Sequence, residues 1–104
     1  MDAILNKLHD IELRYRELEG LLADPEVVSR QGMYQKYAKE HADLTPLVET
    51  IRQYEKTRKL LAENHELLGE SDEEIRAMAR EEIPALEEEI SSLEERLKIL
   101  LLPK

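Results

Sequence analysis

The C-terminal part of this chain carries a repeating pattern of apolar residues that restricts the fold more than any other feature. Its apolar positions follow one another at spacings of four and three residues: Ala79, Ile83, Leu86, Ile90, Leu93, Leu97 and Leu100. On an α-helix, this spacing places every member on one narrow stripe, which is buried by packing against another helix. The sequence therefore predicts a long helix with at least one helical neighbour.

A second stripe of the same kind occupies the N-terminal part of the chain. Its members are Ile4, Leu8, Ile11, Tyr15, Leu18 and Leu22. They predict a helix that ends at about Ala23. Asp24 and Pro25 then form the combination of an N-cap residue and a proline at the first helical position, where the missing amide proton costs nothing. We expect a short turn of helix to follow, and Gly32 to interrupt it.

Helical spacing resumes after Gly32 and continues through the middle of the chain. The residues that carry it are Met33, Tyr34, Tyr37, Ala38, His41 and Leu44. Thr45 and Pro46 repeat the combination of a capping residue and a proline, which predicts that a third helix begins there. Its apolar positions are Val48, Ile51, Tyr54, Leu61 and Leu68. Gly69 is expected to end it.

Two polar residues, Arg58 and His65, occupy stripe positions of this third helix. Polar stripe residues can specify helix register, but we favour a place at the edge of the stripe with the polar groups in water. Tyr34, Tyr37 and Tyr54 are expected to be core rings with solvated hydroxyls, rather than parts of a contact surface.

The fourth segment opens with Ser71 and Glu74 at the positions of a capping box. Pro84 lies inside the pattern and should kink the helix near Arg80, or divide it into a short and a long helix. No strand pattern occurs. We predict one all-α domain over 1–104, a small bundle of long antiparallel helical hairpins with four helical segments. The N-terminal and C-terminal stripes are expected to pack against the third helix as one core.

The residue types argue against catalysis, a metal site and a membrane span. The chain has no cysteine and therefore no disulfide or thiolate site. It has no Gly-rich phosphate loop, and His9, His41 and His65 are too widely separated to predict more than packing or surface roles. No apolar run approaches the roughly 20 residues that cross a bilayer, and the N-terminus lacks the features of a signal peptide. We expect a soluble cytoplasmic protein that is not an enzyme and holds no cofactor.

The net charge of -9 argues against DNA binding and against nucleic-acid binding by the whole surface. The acidic excess lies at the two ends, because residues 25–45 and 46–68 each carry equal numbers of acidic and basic side chains. In the third helix, Arg52, Lys56 and Lys59 are spaced to align on one face, away from the packing residues. This basic stripe is either a solvated face that pairs with Glu49, Glu55 and Glu63, or a contact surface for an acidic partner.

Four short segments occur in order along the chain: Lys39-Glu40-His41-Ala42-Asp43-Leu44, Pro46-Leu47-Val48-Glu49, Ala79-Arg80-Glu81-Glu82 and Leu100-Leu101-Leu102-Pro103-Lys104. In this order and at these spacings, they resemble the N-terminal domain of the bacterial peptide chain release factor one family. The resemblance covers essentially the whole chain. The last segment favours the factor that reads UAA and UAG over its UGA-reading paralogue.

The resemblance implies a helical domain that precedes a Gly-Gly-Gln domain and a codon-reading Pro-x-Thr loop. Neither motif occurs in this chain, so we interpret it as a domain of a longer protein. The full-length protein would enter the ribosomal A site, read a stop codon and promote hydrolysis of peptidyl-tRNA. This domain would contact the ribosome near the stalk base and its L11 protein, and influence the class two release factor. The basic stripe would then meet ribosomal RNA or an acidic protein surface.

A different class of function is the alternative. A stand-alone coiled-coil adaptor or helical chaperone would use the same apolar stripes to bind a second copy, as a homodimer, or a client protein. The gene beyond Lys104 discriminates between the two, since a linker leading to Gly-Gly-Gln supports the release factor and a stop codon supports the adaptor.

Overall fold

The computed structural model describes residues 2–103, with side chains from Ile4 onward, so that Lys104 of the final segment lies outside the described residues. The chain forms four helices, α1 (Asp2–Leu22), α2 (Pro25–Val28), α3 (Gln31–Leu67) and α4 (Glu73–Leu100). No strand occurs between residues 2 and 103. The predicted all-α class and the four helical segments are confirmed. Within the same residues, no helix has the length and apolar character needed to span a bilayer.

The connection between α1 and α3 contains the predicted N-cap at Asp24, but the helix is interrupted before Gly32 rather than at it. The Asp24 carboxylate accepts a hydrogen bond from the backbone amide of Glu26 at 2.9 Å, and Pro25 is the first residue of α2. The break lies at Ser29 and Arg30, since α3 already begins at Gln31. The prediction that Gly32 interrupts the helix is wrong: its φ is not positive, and it lies in the first turn of α3.

The prediction that a new helix begins at Thr45 and Pro46 is also wrong, because α3 continues through both residues. The Thr45 hydroxyl donates a hydrogen bond back to the His41 carbonyl at 2.8 Å, as it does inside a helix, instead of capping a new one. A proline inside a helix costs about 3 kcal/mol. Leu47 and Val48 immediately follow the proline and are buried. Because the helical path of the chain places them in the core, their burial offsets the cost of the proline.

The N-cap of α4 is Asp72, one residue after the predicted Ser71. The Asp72 carboxylate accepts a hydrogen bond from the Glu74 amide at 2.9 Å, and its negative charge opposes the positive end of the helix dipole. The predicted capping box is therefore wrong by one position. Pro84 lies inside α4, which is continuous, so the division into two helices is wrong and the kink stays a prediction.

The chain consists of two compact units, unit 1 up to Glu49 and unit 2 from Thr50 onward. In unit 1, the first part of α3 runs antiparallel to α1, which also contacts α2. In unit 2, the second part of α3 runs antiparallel to α4, joined by side-chain hydrogen bonds from Thr57 to Glu89 and from Tyr54 to Glu94. The antiparallel hairpins are as predicted. The single domain over 1–104 and the single core stay predictions.

The predicted stripes are largely the buried residues of each unit. The buried apolar residues of α1 and α2 are Leu8, Tyr15, Leu18 and Val27. Those of α4 are Ala79, Leu86, Leu93 and Leu97, and the other stripe members, Ile83, Ile90 and Leu100, are half-buried. The stripe of α1 begins one turn later than predicted, because Ile4 is exposed.

The stripe of α3 differs from the predicted one at several positions: Met33 is exposed, and Leu47 and Thr50 are buried beside the predicted members. Tyr54 is buried as expected, and Arg58 and His65 are exposed as expected. Thr57, which lies beside Arg58, is buried in its place. Its hydroxyl donates a hydrogen bond to the Glu89 carboxylate at 3.5 Å. The core assignment of Tyr34 is wrong, because that ring is exposed.

We predict that Leu93→Ala destabilises the protein by about 2 to 5 kcal/mol, because it removes buried apolar surface and leaves a cavity. Leu93 is 8% exposed in unit 2. The free energy of unfolding is measured by urea denaturation. Ile99→Ala is the matched control on the same helix, at a side chain that is 66% exposed. A cost below about half a kcal/mol for Leu93→Ala would show that this residue is not part of a packed core.

Candidate functional site

The basic stripe of Arg52, Lys56 and Lys59 lies on the exposed surface of α3 in unit 2. Because α3 is helical throughout, the spacings of four and three residues place the three cations on one face. Buried residues of the same helix, such as Ile51 and Tyr54, occupy a different face. The site that the sequence predicts is therefore accessible to a partner, and its binding role stays a prediction.

The two lysines of the stripe are not neutralised by neighbouring acids. Among residues 2–103, no carboxylate lies within the 4.0 Å of an ion pair from Lys56 or Lys59. Other cations do form such pairs, for example Lys98 with Glu95 at 3.4 Å. Arg52 has an interaction partner of its own. The expected pairing of Lys56 and Lys59 with Glu49, Glu55 and Glu63 is therefore absent from the described residues, and two ammonium groups remain available.

A groove between α3 and α4 lies beside the stripe. It has a volume of about 400 Å³ and is lined by Arg52, Gln53, Lys56, Thr57, Leu60 and Glu89. Gln53 donates a hydrogen bond across it to the Glu89 carboxylate at 3.3 Å. Lys59 does not line the groove, so the stripe extends beyond it. The sequence alone did not reveal this groove, because one of its walls belongs to α4.

Unit 1 holds an ion pair that the sequence analysis missed. The Arg14 guanidinium donates two hydrogen bonds to the Glu40 carboxylate, at 2.6 and 2.8 Å, and lies 6.0 Å from the centre of the Tyr37 ring. The hydrogen bonds from Arg14 hold the pKa of Glu40 below its ordinary value, and those to Glu40 raise the pKa of Arg14. A two-point pair of this kind fixes the position of α1 against α3.

A polar cluster around His41 lies beside that ion pair. The His41 ring stacks on Tyr15, with 4.2 Å between ring centres and 15° between ring planes. Because the Thr45 hydroxyl donates its proton to the backbone carbonyl of His41, the Tyr15 hydroxyl is the donor in its 3.0 Å hydrogen bond to Thr45. His41 is half-buried in this cluster, which agrees with the packing or surface role expected of it. Between residues 2 and 103, no group of three or more His, Asp or Glu residues is arranged to hold a metal ion.

Comparisons with known proteins extend these observations. The model of the PCRF domain matches residues 11–104. The chain is 55% identical over 101 residues to Peptide chain release factor 1 of Syntrophus aciditrophicus, and 49% identical over 98 residues to that of Nitratidesulfovibrio vulgaris. It is 43% identical over 101 residues to that of Geobacter sulfurreducens. These alignments cover 94 to 97% of this chain and 28% of each relative, so the chain spans little more than a quarter of their length. No solved structure matches.

The Arg14–Glu40 pair leads to a prediction about pH. A folded-state pKa below the ordinary glutamate value stabilises the protein at neutral pH, and this contribution is lost as the pH falls through the folded-state pKa. Glu40→Gln should therefore cost less than about 1 kcal/mol at pH 7, since both side chains are about one-third exposed. The cost should be smaller at an acidic pH below the ordinary pKa of glutamate, because protonation of Glu40 removes the ionic contribution.

Urea denaturation of both proteins at the two pH values measures this difference. Glu66→Gln is the control, at an exposed carboxylate on the same helix. An unfolding free energy that differs equally from wild type at both pH values would contradict an ionic contribution of Glu40.

Proposed function

The chain belongs to the PCRF domain family, and on this premise we propose that it is the N-terminal domain of a peptide chain release factor that acts in translation termination. The observation that carries the proposal is the 55% identity to a release factor over 97% of the chain. The helical hairpins agree with the fold that the resemblance implies. In the full-length protein, stop-codon reading and peptidyl-tRNA hydrolysis would belong to the other domains, because this chain has neither Gly-Gly-Gln nor Pro-x-Thr.

The partner of this domain is the ribosome in the cytoplasm. Within it, we place the contact near the stalk base and its L11 protein, with an influence on the class two release factor, as the family resemblance implies. The alternative of an adaptor that binds through its apolar stripes has less support. The stripe of α4 is buried or half-buried within the chain itself, so it offers a partner little apolar surface.

The basic stripe is the part of the domain that we assign to ribosomal RNA. Among the described residues, no carboxylate lies within ion-pair distance of Lys56 or Lys59, and such point charges are suited to phosphate. The chain has a net charge of -9, so most of its surface repels an anionic partner. A local group of cations provides a region at which such a partner is attracted. Phosphate contacts supply affinity and orientation without reading sequence, so the stripe would position the factor without affecting codon choice.

We predict that the triple variant Arg52→Gln, Lys56→Gln and Lys59→Gln of the full-length factor binds ribosomes more weakly. Each phosphate contact contributes roughly 0.7 to 0.9 to the slope of log affinity against log salt concentration. The variant should therefore flatten this slope by about two to three units. Affinity is measured at several salt concentrations, and codon preference should be unchanged.

A second triple variant serves as the control for net charge. Lys7→Gln, Arg16→Gln and Lys39→Gln remove three exposed cations from unit 1 and should leave the slope near that of wild type. If the stripe variant keeps the affinity and slope of the unchanged factor, the stripe is only a solvated surface.

The 104-residue chain alone should not release peptide from ribosomes programmed with a stop codon, because both motifs for decoding and hydrolysis are absent from it. Release of labelled peptide is compared with a reaction without factor and with one that contains the full-length factor. Stop-codon-dependent release above the no-factor background would contradict the division of roles proposed above.

A further inference from the structure

His41 of unit 1 carries a buried polar atom that lacks a partner. The Nε2 atom of its ring is inaccessible to solvent, and among residues 2–103 it has no hydrogen-bond partner. Buried polar atoms are nearly always hydrogen-bonded, because a protein contact then replaces the water that folding removes. An unpaired ring nitrogen therefore marks a position where a further contact would be favourable.

A carboxylate faces this nitrogen just beyond hydrogen-bond distance. The Glu19 carboxylate of α1 lies 3.8 Å from Nε2, which is too long for a hydrogen bond but within the range of an ion pair. The Glu19 side chain is 52% exposed, so it has room to move by the roughly 1 Å that a charge-assisted hydrogen bond requires. The two groups are thus positioned to meet.

The His41 ring is held in place by its neighbours. It stacks on the Tyr15 ring of α1 at 4.2 Å, and the Tyr15 hydroxyl is itself fixed by its hydrogen bond to Thr45. The face of an aromatic ring attracts a cation, so this stack also accommodates the charged form of the imidazole. A contact between His41 and Glu19 therefore requires movement of the glutamate rather than of the histidine.

We propose that protonation of His41 closes a charge-assisted hydrogen bond from Nε2 to the Glu19 carboxylate, so that this pair is a pH-sensitive link between α1 and α3. A neutral imidazole carries a proton on only one of its two nitrogens, whereas the charged ring always presents an N–H group at Nε2. Histidine is the side chain that ordinarily gains this proton near neutral pH. The proton comes from solvent, which reaches the ring because 27% of the His41 side chain is exposed.

The other titratable groups around His41 are already engaged. Glu40 precedes it in α3, but its carboxylate accepts two hydrogen bonds from Arg14. The Tyr15 hydroxyl donates to Thr45. Because a guanidinium stays charged at any ordinary pH, the Arg14–Glu40 pair needs no protonation step. Unit 1 therefore combines a permanent ionic link between its two long helical segments with a conditional one.

NMR spectroscopy of the chain observes the ring nitrogen directly. At about pH 5.5, a value above the ordinary range of glutamate and below that of histidine, the Nε2 proton of His41 should exchange slowly with water and give a separate signal. That signal should be absent at about pH 8 and in Glu19→Ala. His9 and His65, which are both exposed, are internal controls that should give no such signal.

Two results would overturn the proposal. One is the absence of the His41 signal from the unchanged protein at the acidic pH. The other is a signal that persists with equal strength in Glu19→Ala or at the alkaline pH.

Urea denaturation measures the contribution of the link to stability. At about pH 5.5, Glu19→Gln should lower the folding equilibrium constant about twofold to fivefold, as loss of an exposed ion pair does, and at about pH 8 it should change it little. The sign follows from the charge of the ring. Only the charged ring makes the contact, so the stabilisation is present at acidic pH and is lost as the ring gives up its proton.

Two further variants make this measurement specific. Asp10→Asn, at an exposed carboxylate of the same helix, is the control and should not show the pH difference. His41→Phe keeps an aromatic ring against Tyr15 but removes both nitrogens, so in this background Glu19→Gln should have the same effect at both pH values. If His41→Phe does not fold, the single variants and the NMR signal still decide.

An effect of Glu19→Gln that is equal at the two pH values in the otherwise unchanged protein would contradict a link that depends on protonation. None of these measurements involves the ribosome. Their failure would therefore leave the proposed function unaffected.

Discussion

Burial of one narrow apolar stripe per long helix is the interaction on which the rest of this structure depends. The chain carries 38% charged residues, and many of its apolar side chains occur at spacings that a helix turns to one side. Leu18, Ile51 and Leu97 are almost completely buried as a result. Each buried aliphatic side chain contributes about 1.5 to 3 kcal/mol, and the other faces of the helices remain free to carry charge. The basic stripe exists on α3 because packing uses only one side of it.

Polar contacts between the helices add little stability but define the register of each hairpin. In unit 1, the Arg14–Glu40 pair and the hydrogen bond from Tyr15 to Thr45 join α1 to α3. In unit 2, Tyr54 donates to Glu94 at 3.0 Å, and Thr57 faces Glu89. Apolar stripes alone tolerate sliding by one heptad, whereas a directional bond is satisfied in one register only. The groove beside the stripe is a product of that register.

The proposed function needs a binding surface rather than reactive groups. The basic stripe acts through charge, so its contribution falls as salt rises. The relatives named Peptide chain release factor 1 are several times longer than this chain, which leaves room for the chemistry to lie in other domains.

Sequence patterns by themselves determined the helical class, the apolar stripes, the cap at Asp24, the family and the alignment of Arg52 with Lys56 and Lys59. Except for the family, which rests on the order of four segments along the chain, all of these depend on residues within a few turns of one another, where helix geometry alone dictates which side chains share a face. Predictions from local sequence were wrong where packing favoured a different structure. At Pro46, burial of the next helical turn outweighs the cost of a proline inside the helix.

Only the tertiary structure decided the Arg14–Glu40 pair, the burial of Thr57 and the groove. The partners in these contacts are 26 or more residues apart, joining positions whose pairing is set by the register of two antiparallel helices. A shift of one helix along the other by one turn would leave the heptad pattern of the sequence unchanged but would abolish all three features. The pattern specifies which face of a helix is buried, but not which residue of the other helix it contacts.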